Sequence, residues 1–176
     1  LCARALLEAG SDPNKADDEN WTALMYAAQN GHDLCVRALL EAGADVEKQI
    51  TSGHTALMLA ALNGHDLCAR ALLVAGSDPN KANNEGVIAL IFAAQFGHDL
   101  CARALLEAGS DPNKANKAGW TALMYAAENG HEQCARALLE AGADVEKQIT
   151  SGRTALMFAA QNGHDQCARA LIEAGS

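Results

Sequence analysis

Residues 21–43 read WTALMYAAQNGHDLCVRALLEAG, and this stretch decides the fold. WTALMYAAQNG reads as a short helix, with Thr22 placed to cap its start and Gly31 just past its end. Leu24, Ala27, Ala28 and Gly31 fall at i, i+3, i+4 and i+7, so they form one packed face. HDLCVRALLEAG reads as a second helix ending at Gly43, with Cys35, Ala38, Leu39 and Ala42 as its packed stripe. Asp33, Arg37 and Glu41 fall at i+4 steps on another face, a solvated charge ladder worth tenths of a kcal/mol per pair. The following ADVEKQITSG carries turn residues and no helical period. The unit is helix, tight turn, helix, extended loop.

The same unit recurs along the chain. Gly-His stands at 31–32, 64–65, 97–98, 130–131 and 163–164, a constant step of 33 residues. The six cysteines, at 2, 35, 68, 101, 134 and 167, keep that step. Residues 1–77 match residues 100–176 at 63 of 77 positions, which points to tandem duplication. A fixed period of this length marks a solenoid, because neither short helix can bury its stripe alone and stacking unit on unit buries both.

The phrase TAL-x-x-AA-x-x-GH-x-x-C-x-x-x-LL-x-x-G-A/S-D resembles the ankyrin repeat, and five consecutive copies cover the chain. The resemblance implies an all-α fold, an ankyrin-repeat α-solenoid forming one domain over 1–176. Its units run over 17–49, 50–82, 83–115, 116–148 and 149–176, after a remnant helix within 1–16. The family's T-P-L-H appears here as Thr22-Ala23-Leu24-Met25, so the turn loses its His tie and gains apolar packing. Neither end shows a polar capping repeat, there is no initiator Met, and the chain starts inside a helical pattern. It therefore reads as a piece of a longer protein.

Composition excludes several functions. A net charge of −9 disfavours binding to nucleic-acid phosphate or anionic lipid, which needs clustered Lys and Arg. No apolar run approaches the ~20 residues of a membrane span. Cysteines on equivalent helices of adjacent units stand ~8–10 Å apart, too far for a disulfide or a shared zinc ion. They are expected as a ladder of buried, reduced thiols, which implies a reducing intracellular compartment, most simply the cytoplasm. Five of the six histidines belong to the Gly-His turns and are expected to hydrogen-bond there, while His54 is expected at an exposed, variable slot. No catalytic set and no metal or cofactor site is legible, so the expectation is no enzyme, no cofactor and no small-molecule substrate.

The aromatics carry the functional reading. Trp21 and Trp120 occupy the slot just before the first helix, which is filled by His54, Val87 and Arg153 elsewhere. Tyr26, Phe92, Tyr125 and Phe158 share one position in that helix, with Leu59 as the fifth member. Phe96 lies four residues after Phe92, and Leu62 three after Leu59, all directed away from the packed face. The resemblance places this side of the first helix on the concave groove. The alternative is that some of these side chains fold back over the Ala-rich helices as packing. The central copy, VIALIFAAQFGH at 87–98, is the most apolar, and most of its changes are expected to face outward. Contiguous exposed apolar surface marks an interface. Trp21, Tyr26, Leu59, Leu62, Val87, Phe92, Phe96, Trp120, Tyr125 and Phe158 are thus the expected contacts for a protein partner. Two other readings stay open: a structural spacer held by its ends or convex face, and a regulatory segment of a longer enzyme.

Overall fold

The computed structural model describes residues 2–175. Its helices are α1 (Cys2–Glu8), α2 (Ala23–Gln29), α3 (Asp33–Glu41), α4 (Ala56–Leu62), α5 (Asp66–Val74), α6 (Ala89–Gln95), α7 (Asp99–Glu107), α8 (Ala122–Asn129), α9 (Glu132–Glu140), α10 (Ala155–Asn162) and α11 (Asp165–Glu173). The even-numbered helices pack in sequence as an inner layer and the odd-numbered ones as an outer layer. Within a repeat the two helices are antiparallel neighbours joined by the Gly-His turn. Among the described residues there is no strand, only isolated antiparallel bridges between Ala16 and Thr22 and between Ala115 and Thr121.

Local chemistry starts and stops each inner helix. The Thr22, Thr55, Thr121 and Thr154 hydroxyls accept from the backbone N–H three residues on, at 3.3–3.5 Å. Ile88 offers no such acceptor, as its sequence predicts, yet it is fully buried, so apolar packing replaces the cap there. The Met that stands for the family's His is core in the interior repeats: Met25, Met58 and Met124 are buried. At the helix end Asn30, Asn63, Asn129 and Asn162 each donate a side-chain N–H to the carbonyl four residues back. The next residue is Gly with positive φ, 72° at Gly31 and 74° at Gly64, which closes the turn.

A second device locks repeat to repeat. The His65 ring donates from Nε2 to the carbonyl of Gln29 at 3.1 Å, and His98 to Leu62 at 3.2 Å. His131 and His164 bond Gln95 and Glu128 in the same way, at 3.1 and 3.0 Å. Each histidine thus satisfies an otherwise orphaned carbonyl in the last turn of the preceding inner helix. The glycine of that preceding repeat makes room for the ring: a Cβ on Gly31 would lie 2.6 Å from His65 Nδ1.

The outer helices differ from expectation in two ways. Ala42 is exposed and Cys35 half-buried, so the stripe of α3 narrows to Val36, Ala38 and Leu39. The i+4 charge ladder forms as an ion pair in the described residues only at Glu132–Arg136, 2.9 Å. Arginines instead reach the following repeat: Arg4–Glu41, Arg70–Glu107, Arg103–Glu140 and Arg136–Glu173, at 3.0–3.6 Å. Arginine is long enough to cross the gap between neighbouring outer helices. These exposed pairs are worth ~0–1 kcal/mol each.

The described thiols follow the predicted ladder. Cys35, Cys68, Cys101, Cys134 and Cys167 are free, and the last four are buried. The side chain of Cys2 and all of Leu1, both included in the sequence reading, lie outside the described residues.

Candidate functional site

Each repeat closes a tight finger in the loop before its inner helix. The finger closes through a backbone bond across five residues: Asp17 N–H to Trp21 O, Ile50 to His54, Asn83 to Val87, Asn116 to Trp120 and Ile149 to Arg153. Its tight turn needs a positive φ at the fourth position, supplied by Gly53, Gly86, Gly119 and Gly152, and by Asn20 (φ 67°) in the first finger. In the first, third and fourth fingers the carboxyl or amide oxygen of Asp17, Asn83 or Asn116 also accepts two backbone N–H groups of the finger. Glu19 and Trp21 supply those donors at Asp17, and Tyr26 Oη donates to its other oxygen at 2.8 Å. The bond from Trp21 N–H, helped by the Tyr26 hydroxyl, holds the Asp17 carboxyl below its ordinary range.

In four of the five fingers the residue leaving the finger lies against an aromatic of the inner helices. Trp21 stacks on Tyr26 with centroids 5.0 Å apart, and Trp120 meets Tyr125 at 4.8 Å. The finger also reaches the following repeat. His54 stacks on Phe92 at 5.3 Å, and Trp120 packs on Phe158 at 4.4 Å. Phe158 is further covered by the Arg153 guanidinium, 4.1 Å from its centroid. Burial follows from this two-sided cover. Phe158, roofed from both sides, is 1% exposed, while Tyr26, roofed only by Trp21, is 47% exposed.

Several expected contacts are therefore corrected. Phe158 is core, so the expectation that every aromatic faces the groove fails there. Leu59 and Val87 are buried as well, because helix α4 lies deep between its neighbours and Val87 has no polar or extended group to reach solvent. Three of the five changes in the central repeat, Val87, Ile88 and Ile91, fill the core. This fits Ile91, which stands in the slot of a core Met, but overturns the expectation that most of the changes face outward and that Val87 is a contact. Most of that repeat's apolar character is packing. His54 is not an exposed slot but half-buried, with Ser52 Oγ 2.8 Å from Nδ1 and Asn83 Nδ2 donating toward Nε2 at 3.4 Å. Desolvation lowers its pKa, partly opposed by Glu85.

What stays accessible is narrower and coherent. Phe96 is 48% exposed at the end of α6, its ring stacked at 6.4 Å on His98. Because His98 holds the Leu62 carbonyl, Phe96 and half-buried Leu62 meet at one repeat junction. Trp21, Phe92, Trp120 and Tyr125 remain half-buried and Tyr26 open. Charge changes sign along the fingers: Asp18 and Glu19 on the first, Glu85 on the third, Lys117 and Arg153 on the fourth and fifth.

Two other features are of the stack itself. A groove of about 550 Å³ between α1 and α2, lined by Leu6, Leu7, Ala27 and Leu39, presents the face that an inner helix covers in every later repeat. Among the described residues no cluster of His, Cys, Asp and Glu has metal-binding geometry, and no helix is long and apolar enough to cross a membrane.

Stacked helix pairs, a left-handed glycine at each turn and a histidine bridging to the preceding repeat recur at a 33-residue step. The family model for ankyrin repeats in sets of three matches residues 1–83, 57–149 and 90–176. The chain belongs to the ankyrin repeat family. Ankyrin repeats are generally protein–protein interaction modules and typically not catalytic. Among curated proteins none matches this ankyrin chain.

Proposed function

We propose that this ankyrin array is a non-catalytic module that binds another protein along its concave face, centred on the junction of its second and third repeats. The carrying observation is Phe96, a half-exposed ring in a slot that Asn fills in all four sibling repeats. Packing does not require a ring there, since Asn both fits and bonds the helix end. Leu62 beside it likewise replaces the Gln of three siblings, Gln29, Gln95 and Gln161. An aromatic anchor with an aliphatic neighbour, ringed by polar positions, is the composition of an interface hot spot. Tyr26, Trp21, Phe92, Trp120 and Tyr125 extend contact to either side, and the finger charges favour a partner basic at one end and acidic at the other.

The test is affinity capture from lysate with the native array beside one carrying Phe96→Asn and Leu62→Gln, both sibling residues. A protein retained by the native array and lost by the variant, at unchanged helicity and melting, supports the reading. Equal capture by both arrays sinks it.

A further inference from the structure

The second residue of each outer helix forms a row unrelated to the finger aromatics. It is Leu34, Leu67 and Leu100 in the first three repeats, and Gln133 and Gln166 in the last two. The three leucines are 77%, 54% and 54% exposed, on consecutive outer helices α3, α5 and α7. Beside them Asp33, Asp66 and Asp99 begin the helices and make no ion pair among the described residues. The arginines one turn further on do not neutralise them, since Arg70 and Arg103 reach forward to Glu107 and Glu140. The fourth repeat offers an internal contrast: where Leu becomes Gln133, the acid is Glu132 and Arg136 holds it at 2.9 Å. In the first four repeats bare leucine and unpaired carboxylate therefore occur together and are lost together, while in the fifth Asp165 stands without an ion pair among the described residues beside Gln166.

We propose that this row docks an amphipathic, basic helix laid along the repeat axis. Neighbouring outer helices stand ~8–10 Å apart, so successive leucines repeat at about that distance. An α-helix advances ~10.5 Å in seven residues, nearly two full turns, and returns to the same face. One apolar side chain per heptad meets one leucine per repeat, and Lys or Arg flanking that stripe meets the aspartates. An extended strand matches less well, since an advance of ~10 Å takes three residues and turns the side chain to the opposite face. A second copy of this row is disfavoured because its aspartates would face like charges. This surface is distinct from the concave contacts proposed above and does not rest on them.

The probe is a labelled synthetic helix of three heptads, with Leu every seventh residue, Lys flanking the stripe and Ala elsewhere, followed by fluorescence anisotropy. The double substitution Leu67→Gln and Leu100→Gln installs the residue the fourth and fifth repeats already carry, so folding is preserved, as circular dichroism would verify. It should weaken binding about 10- to 100-fold, since each leucine is already about half buried and the peptide covers only the remaining half of two of them. Gln133→Leu should tighten it for a probe lengthened by one heptad. Replacing the peptide's Lys by Glu should abolish binding, and added salt should weaken it. The proposal is overturned by no binding up to about 1 mM, by binding indifferent to the double substitution, or by equal binding of the acidic peptide. Sedimentation of the protein alone addresses the other occupant: a dimer dissolved by Leu67→Gln and Leu100→Gln would assign the row to a second copy and overturn the proposal.

Discussion

Replacing Gly64 by Ala tests the lock between repeats. Gly64 has φ +74°, and a Cβ there would lie 2.6 Å from His98 Nδ1 and 2.7 Å from Cε1. Two costs follow. The left-handed backbone costs an L-residue about 1–2 kcal/mol. The ring must also move, which breaks its bond to the Leu62 carbonyl and leaves that acceptor without its partner, about 1–3 kcal/mol. The sum is about 2–5 kcal/mol. In a His98→Ala background the clash and the bond are already gone, so Gly64→Ala should then cost only its backbone strain. Gly163→Ala is a second control: φ is +71°, yet nothing lies within 4 Å of its Cβ. Urea denaturation followed by circular dichroism on the four proteins of the double-mutant cycle measures the coupling. A coupling near zero, with Gly64→Ala equally costly in both backgrounds, would refute the view that glycine serves the histidine of the next repeat.

Phe96→Asn should leave stability within about 1 kcal/mol, because losing a half-buried ring is offset by a new side-chain bond to the Phe92 carbonyl. A melting temperature lowered by more than about 8 °C would show the ring to be core. Burial raises the Cys101 and Cys134 thiols to about 12 from an ordinary 9.0, so in native protein at pH 8 they should resist a thiol reagent that labels them rapidly once unfolded. Because these folded values lie above the unfolded one, the stability they contribute is complete below pH 9 and falls as pH rises from 9 toward 12, read as a declining urea midpoint. His54 runs the other way. Desolvation puts its folded value below 6.5, so stability should fall as pH drops below 6.5, and His54→Val should remove part of that fall; an identical pH profile in the variant would contradict it.

The 33-residue step of Gly-His, the Thr caps and the small-residue stripes were enough to read helix, turn, helix and loop, because hydrogen-bond closure and burial at i, i+3 and i+4 are local demands written in each repeat. The step also placed the thiols in a ladder. Which outward-pointing side chains stay outward was not local. Tyr26 and Phe158 occupy the same sequence slot, yet one is half open and the other sealed, because Phe158 receives Trp120 from the preceding repeat and Arg153 from its own finger. Leu59 and Val87 were hidden by neighbours that a single repeat does not reveal. The role of His98 required the preceding repeat's carbonyl, 36 residues away. Leu34, Leu67 and Leu100 stood in the repeated phrase throughout, and only the stacked outer helices show them as one exposed row. Helical period determines the direction in which a side chain leaves its own backbone. The adjoining repeat, set by rigid stacking, determines whether water or another side chain lies in that direction.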